Sequence, residues 1–242
     1  MVALEGESSG YGRTGERHAV TQVRSVRVVA FSSDRYSDAW KPFAKLLERF
    51  WPDRPWPLVI VTNEVGAEIP GLHVITTGTD IGWGEAAARA LESVPEEIVL
   101  VLMEDYFALA PWDTPFLIRA LEAFSDDRVQ YLRLSPVPPP SRPMDGLPWG
   151  PHDPGSPYRF SLQASLVRRN YLTERARKRK TPWEFELCET GDPERVHLSV
   201  VSGISPCPYT IAIRRGHIWQ NEALLHCASL GIVCPDPIFQ QK

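Results

Sequence analysis

The sequence predicts an α/β fold in which helices cover both faces of a mostly parallel sheet. Short, strongly apolar runs alternate along the chain with amphipathic segments of about ten residues, the pattern of repeated strand–helix units. The chain has 242 residues, 43% of them hydrophobic and 23% charged, which is ordinary globular usage and enough to bury one sizeable core. We therefore expect a single domain over residues 25–242.

The predicted elements follow one another in a regular order. The first is a β-rich run at 25–31, and a helix over 36–51 follows, for which Ser37 offers an N-cap and Pro52 a stop. Further strands are predicted at 58–62, 73–76, 98–103 and 129–134, and further helices at 84–94, 114–124 and 220–230. Residues 168–180 form a basic helical stretch, and 196–201 and 209–213 resemble strands.

Two segments depart from this pattern. Residues 1–24 carry few large apolar side chains and several Gly, Ser and charged residues, so we expect a flexible N-terminal tail. Residues 136–157 contain nine of the chain's 23 prolines. Because proline removes backbone donors, we expect no regular structure there, and the segment forms either a surface loop or a lid over a site.

Composition excludes several classes of protein. The net charge of −4 gives no overall basic field, so we expect no nucleic-acid partner. No run reaches the roughly 18 to 20 apolar residues of a membrane span, and the N-terminus lacks the apolar stretch of a secretory signal. The four cysteines lie far apart and form no C-x-x-C pair. We therefore expect a soluble, cytoplasmic protein with reduced thiols.

Polar side chains follow three of the predicted strands. Because ligands of open α/β sheets bind outside the carboxyl ends of the strands, these side chains are expected to share one edge of the sheet. They are Ser32, Ser33 and Asp34 after the first strand, Asn63 and Glu64 after the second, and Glu104 and Asp105 after the strand at 98–103.

The acidic pair is the sharpest of these features. Carboxylates in this position suit Mg²⁺ or Mn²⁺ held against a diphosphate, because these cations prefer oxygen ligands. A solvated turn that closes the strand is the alternative interpretation.

Four other segments carry candidate chemistry. Trp83 follows a Gly-rich stretch at 77–82 and either stacks on a ligand ring or packs into the core behind a plain turn. Arg214 and Arg215 form a basic cluster suited to a diphosphate. Glu184 and Glu186 stand beside aromatics, where burial can raise a carboxyl pKa into the range of a general base, although both acids could equally be solvated. The bases of 168–180 either form a solvated helix face or meet phosphates or an anionic membrane.

Taken in order, these motifs resemble those of small bacterial GT-A-type glycosyltransferases, which use nucleotide sugars and often act in surface polysaccharide assembly. The resemblance covers about residues 25–233. It is carried by VVAFSSDRY at 28–36, VTN at 61–63, TTG at 76–78 with Gly82-Trp83, LMEDYF at 102–107, YRFSLQA at 158–164, PWEFE at 182–186 and IRRG at 213–216.

The resemblance implies a Rossmann-like GT-A sandwich that transfers a sugar from a nucleoside diphosphate sugar to an acceptor hydroxyl, with inversion at the anomeric carbon. Its implied donor-binding residues are Ser32, Ser33, Asp34, Asn63, Trp83, Glu104, Arg214 and Arg215, with Asp105 as the ligand of a divalent cation, Mn²⁺ or Mg²⁺. Glu186 is the favoured catalytic base, with Glu184 as the alternative.

The sequence also departs from the family pattern. Glu104-Asp105-Tyr106 occupies the place of the D-x-D motif, so the arginines at 214 and 215 are candidates for part of the cation's work. A catalytically inactive nucleotide-sugar-binding module and a nucleotidyltransferase are therefore the competing hypotheses, although no Gly-rich loop with a basic residue follows the first strand. The expected acceptor is a carbohydrate or another hydroxyl compound, and peripheral membrane association fits the basic stretch.

Overall fold

One eight-stranded sheet organises the structure, a computed structural model that describes residues 25–66, 69–78, 81–188, 194–215 and 218–234. Its strands are β1 (Val26–Phe31), β2 (Leu58–Thr62), β3 (His73–Thr76), β4 (Ile98–Met103), β6 (Val129–Arg133), β7 (Trp149–Pro151), β8 (Ser165–Arg168) and β9 (Val196–Val200). They lie in the order β3-β2-β1-β4-β8-β6-β9-β7. The tail predicted over 1–24 lies outside the described residues.

Most neighbouring strands are parallel. β1 pairs in parallel with β2 and β4, β2 with β3, and β6 with β9, whereas β8 runs antiparallel to both β4 and β6, and β7 antiparallel to β9. The near-continuous apolar runs of β2 and β4 fit this arrangement, because a parallel strand is buried on both faces. The predicted fold class is confirmed.

Six helices cover the two faces of the sheet. They are α1 (Ser37–Phe50), α2 (Trp83–Glu92), α3 (Thr114–Ala120), α4 (Arg169–Ala176), α5 (Pro182–Cys188) and α6 (Asn221–Ser229), counted over the described residues. Side chains alternate along β1, so Val28 and Ala30 join a core with α1, α3 and α6. Val29 and Phe31 join the opposite core with α2, α4 and α5. The result is a three-layer sandwich.

Two small ribbons lie beside the main sheet. β5 (Tyr106–Ala108) starts directly after the acidic pair and pairs antiparallel with β10 (Tyr209–Ile211). β11 (Ile213–Arg214) pairs with β12 (Ile218–Trp219). The single strand predicted over 209–213 is therefore wrong. The chain divides at Ala212, whose N–H donates to the carbonyl of Asp105 at 2.8 Å.

The proline-rich segment also differs from expectation. Trp149–Pro151 forms β7 within the stretch 136–157, so the prediction of no regular structure is wrong for these residues. β7 is the edge strand beside β9, and an edge is where a strand tolerates proline, since one side of it needs no hydrogen-bonding partner. Within the described ranges, every helix falls short of the length and apolarity that crossing a membrane requires.

Candidate active site

Three polar strand ends meet at the centre of the sheet. β1 lies between β2 and β4, and Phe31 stands opposite both Val61 and Met103. Because all three strands are parallel, the residues that follow them leave the sheet at the same edge. This register brings Ser32 close to Glu104.

A cavity of about 740 Å³ opens over these strand ends. Nine of the eleven residues predicted for the site line it: Ser32, Ser33, Asn63, Trp83, Glu104, Asp105, Glu186, Arg214 and Arg215. Asp34 and Glu184 are not in its lining. Residues separated by more than 150 positions in the sequence therefore share one hollow.

The acidic pair is buried within the cavity wall. Glu104 is 4% exposed, and its Oε2 atom has no hydrogen-bond partner among the described residues. Burial, followed by the charge of Asp105, raises the pKa of Glu104 well above its ordinary value, although a hydrogen bond from Ser32 opposes the rise. Burial also raises the pKa of Asp105 to about 7, against hydrogen bonds from its own N–H and that of Ile213.

These two carboxyl groups fit a divalent cation shared with a phosphate. In the described part of the chain, no group of three or more His, Cys, Asp or Glu side chains is arranged to hold a metal ion. Mg²⁺ commonly takes only one or two carboxylates from a protein and completes its shell with substrate phosphates and water. The unpartnered oxygen of Glu104 and the adjacent Asp105 match that requirement.

Ser32, the first residue after β1, is fixed by backbone and side-chain contacts. Ser32 donates its N–H to the carbonyl of Val61 at 2.9 Å, which continues the parallel pairing beyond the strand. Its hydroxyl accepts the indole N–H of Trp40 at 2.8 Å. Trp40 is buried in α1, so this helix sets the position of the hydroxyl beside Glu104.

Asp34 is not in the cavity lining, but its carboxylate holds the adjacent loop in place. Its carboxylate accepts the hydroxyl of Thr62 at 2.6 Å and the N–H groups of Asn63, Glu64 and Val65 at 3.0–3.2 Å. Desolvation acts to raise the pKa of Asp34, but these hydrogen bonds outweigh it and lower the pKa. Asp34 thus holds the loop that carries Asn63, and its contact with the donor stays a prediction.

The structure separates the two candidate bases. Glu186 lines the cavity, and its Oε1 accepts the N–H of Leu162 at 2.7 Å. Glu184 accepts the backbone N–H of Lys180 at 2.8 Å, and its own N–H donates to the Thr181 hydroxyl at 3.1 Å. This reciprocal pattern resembles a capping box, so Glu184 secures the start of α5.

Glu186 lies in a setting that favours a general base. Burial raises its pKa, while the Leu162 N–H and the charge of Arg133 act in the opposite direction. Arg133 is fully buried and donates to the Tyr131 hydroxyl and to the carbonyls of Val137, Pro138 and Tyr158. It therefore ties the proline-rich segment to β6, the strand that carries Arg133.

Trp83 lies in the cavity wall at the start of α2. Its ring makes edge contacts with Phe31 and Phe185 at centroid distances of 5.8 and 5.3 Å. Its backbone N–H donates to the Lys180 carbonyl. Its indole Nε1 is buried without a hydrogen-bond partner among the described residues. The Trp83 ring thus packs with core aromatics and also lines the cavity, and its stacking on a ligand ring stays a prediction.

The two arginines are on the exposed rim of the cavity. Arg214 ends β11, and Arg215 follows with a φ of 52°, in the left-handed region. The preceding residue, Ile213, donates its N–H to the Asp105 carboxylate. This contact places the arginine segment directly beside the acidic pair.

Several lining residues were not among the predicted site residues. They include Tyr36, Tyr106, Leu162, Lys180 and Trp183. Two signals in the sequence pointed toward them: Tyr106 directly follows the acidic pair, and Lys180 ends the basic stretch. Leu162 carried no such signal, since its place depends on a contact with α5.

Comparisons with known proteins give structural likeness only. No protein-family model and no curated protein matches the chain. A mannosyltransferase from Pyrobaculum calidifontis, solved with GDP-Man and Mn²⁺, has a TM-score of 0.50 at 16% identity, over 90% of this chain and 68% of its own. A cytidylyltransferase from Leptospira borgpetersenii has a TM-score of 0.47 at 10% identity, over 90% and 98% of the two chains. TarS from S. aureus has a TM-score of 0.47 at 12% identity, over 89% and 41%. The likeness to the mannosyltransferase, together with the eight-stranded, mostly parallel sheet, gives the chain a Rossmann-like GT-A fold.

Proposed function

We propose that the protein is a glycosyltransferase that moves a sugar from a nucleoside diphosphate sugar to an acceptor hydroxyl. One observation carries the proposal: Glu186, with its raised pKa, shares a single cavity with the acidic pair and with the polar ends of β1 and β2. A donor and an acceptor can meet there, with a base on one side and charge-stabilising groups on the other.

The chemistry follows from this arrangement. The acceptor oxygen attacks the anomeric carbon, Glu186 takes the hydroxyl proton, and the diphosphate leaves with the electron pair of the broken bond. Arg214 and Arg215 stabilise the negative charge on the leaving group. A single displacement of this kind inverts the anomeric centre, and we assign the reaction to surface polysaccharide or glycoconjugate synthesis.

We further propose that Glu104 and Asp105 hold a divalent cation together with the donor. Mn²⁺ or Mg²⁺ bound there would supply positive charge to the leaving diphosphate. The solved mannosyltransferase with GDP-Man and Mn²⁺ supports this choice of ligand classes, since it shares the fold. Removal of divalent cations by a chelator should therefore weaken donor binding.

A donor screen tests the proposal. The purified protein is incubated with UDP-, GDP-, CMP- and dTDP-sugars, with and without Mn²⁺, while donor binding is followed by thermal shift and donor cleavage by nucleotide release. A donor present at 100 times its Kd adds about 2.7 kcal/mol of stability, which a thermal shift resolves. We expect one class of donor to stabilise the protein and to be cleaved slowly even without an acceptor.

Two matched variants assign the base. Glu186→Gln should lower turnover by about 10² to 10⁴ and leave donor binding intact, because it removes only the proton acceptor. Glu184→Gln, two residues earlier on the same helix, should retain most of the activity because Glu184 only caps α5. Full activity of Glu186→Gln would reassign the base. Donor binding without any cleavage would favour a binding module, and pyrophosphate release from a nucleoside triphosphate would favour a nucleotidyltransferase.

A further inference from the structure

Trp183 is an exposed aromatic at the base end of the cavity. Its side chain is 61% exposed although it lines the cavity, whereas the neighbouring Phe185 is fully buried. Trp183 lies three residues before Glu186 on α5, and residues at this spacing share a helix face. A ring that is accessible, rigid and next to the candidate base is positioned to meet the acceptor.

Apolar and aromatic residues connected to Glu186 also line the cavity. Leu162, which donates its N–H to Glu186, accepts the Tyr106 hydroxyl through its carbonyl at 3.2 Å. Tyr106 stands opposite Ile211 in the β5–β10 ribbon, and Leu162, Tyr106 and Ile211 all line the cavity. The Tyr106 hydroxyl is thus already engaged with Leu162, so it is not free to bind a ligand.

The positive charge that acts on Glu186 belongs to Arg133, which is already engaged by other groups. Arg133 lowers the pKa of Glu186, but its N–H groups are engaged by the Tyr131 hydroxyl and by carbonyls of the proline-rich segment. The exposed cations of the lining are Lys180, Arg214 and Arg215, and the two arginines directly follow Ile213, whose N–H binds Asp105. Positive charge is therefore concentrated beside the acidic pair, in the donor half of the cavity, and this favours an uncharged acceptor at Glu186.

We propose that Trp183 forms the acceptor subsite and that the acceptor group is a neutral sugar ring packed on the indole, with one hydroxyl directed at Glu186. A pyranose ring presents an apolar C–H face and a polar rim of hydroxyls. An indole offers a large flat apolar surface to that face, and Glu186 one turn further along the helix accepts from the rim. This inference rests on the proposed function and names the class of acceptor it uses.

Three variants test the subsite. Trp183→Ala removes the ring, Trp183→Phe retains an aromatic face, and Leu187→Ala is the matched control. Leu187 is 64% exposed on the same helix but is not in the cavity lining. The probes are the methyl and p-nitrophenyl glycosides of common hexoses, compared with hexose phosphates, in the presence of the donor identified by the screen.

The expected result is transfer to a neutral glycoside, with an acceptor KM that depends on the indole ring of Trp183. Trp183→Ala should raise the KM for the glycoside about three- to tenfold, the range that aromatic packing supplies. Trp183→Phe should recover part of that loss, and Leu187→Ala should match the unmodified protein. Donor cleavage without acceptor should be unchanged in Leu187→Ala, because this residue is not in the cavity lining.

The contrary results are distinct. Transfer to hexose phosphates alone, an acceptor KM that is the same in Trp183→Ala, or donor cleavage that no glycoside affects would each overturn the subsite and leave the glycosyltransferase proposal standing. Failure to bind or cleave any nucleotide sugar would instead remove the proposed function, and the acceptor subsite with it.

Discussion

Glu184 and Glu186 point to different sides of one short helix, and only Glu186 lines the cavity. Residues two apart in a helix do not share a face, so only one of the pair can turn into the cavity. The sequence identifies both as candidates from their aromatic neighbours. The choice between them depends on Leu162, whose N–H binds Glu186 from 24 positions away, and on the Thr181 cap that engages Glu184. The Leu162 contact cannot be read from local spacing, whereas the Thr181-x-x-Glu184 spacing is itself the signature of a capping box.

The raised pKa of Glu186 predicts the acid side of the pH–rate profile. The base must be ionised to accept a proton, so the rate should fall as pH drops through its pKa. Because burial raises that pKa above the ordinary value of 4.5, the fall should begin at a higher pH than for a solvated glutamate. The measurement is kcat against pH at saturating donor, which removes the effect of pH on donor binding.

The Glu184→Gln variant is the control for this profile and should reproduce it. A rate that stays constant down to pH 4.5 would contradict the assignment. If the residual activity of Glu186→Gln still falls at low pH in the same way, another group must be responsible for the fall. Asp105, with its pKa of about 7, would be the first candidate.

At the scale of elements, the contact between α2 and α4 depends on the absence of a side chain at Gly84. A Cβ added there would lie 2.0 Å from the Arg179 carbonyl oxygen and 2.1 Å from that of Ala176. Both atoms belong to backbone, which cannot move aside without shifting α4 or the chain that leads into α5. The close approach therefore helps to place α5, and with it Glu186, over the strand ends.

Gly84→Ala should therefore destabilise the protein, although alanine is the better helix former by about 1 kcal/mol. Overpacking of this kind costs about 1–3 kcal/mol, which chemical denaturation would resolve. Gly66→Ala is the matched control, since a Cβ there meets nothing within 4 Å. Equal stability of the two variants would show that α2 and α4 can separate freely.

The strands show which elements local sequence specifies. β2, β3 and β4 match their predicted bounds, because each is a compact apolar run that ends at polar residues. β8 was not predicted, although it lies between β4 and β6 in the sheet. It is only four residues long and leads directly into a basic helix, and its pairing with two distant strands, rather than its own pattern, determines its conformation.

At the scale of the whole molecule, burial of His197 links stability to pH. The ring is fully buried, with Nε2 2.9 Å from the Tyr171 hydroxyl and Nδ1 3.3 Å from the Arg159 carbonyl. Burial, followed by the charge of Arg159, lowers its pKa to about 3 from the ordinary 6.5. Unfolding therefore takes up a proton at any pH between these values.

The sign of this linkage is fixed. Between pH 6.5 and about 3 the unfolded chain binds the extra proton, so the free energy of unfolding should fall by about 1.4 kcal/mol for each pH unit below 6.5. The measurement is the urea midpoint at pH 7.0, 6.0 and 5.0, compared with His197→Gln, which carries no titrating ring. The dependence on pH should be weaker in the variant, and an identical dependence would contradict a neutral buried His197.

The site as a whole was predictable only in part. The rule that ligands bind at the carboxyl ends of strands located Ser32, Asn63 and Glu104, since it depends on topology alone. The same rule also selected Asp34, whose carboxylate proves to be occupied by the backbone of the next loop. The use of a polar side chain at such an edge depends on neighbours that only the folded chain supplies.

A crystal structure of the protein with the nucleotide sugar that the donor screen identifies would test the proposed function most directly. We expect the diphosphate to lie against Glu104 and Asp105 and the anomeric carbon to face Glu186, within the cavity over β1, β2 and β4. A nucleotide bound elsewhere, or one whose sugar points away from Glu186, would contradict this expectation.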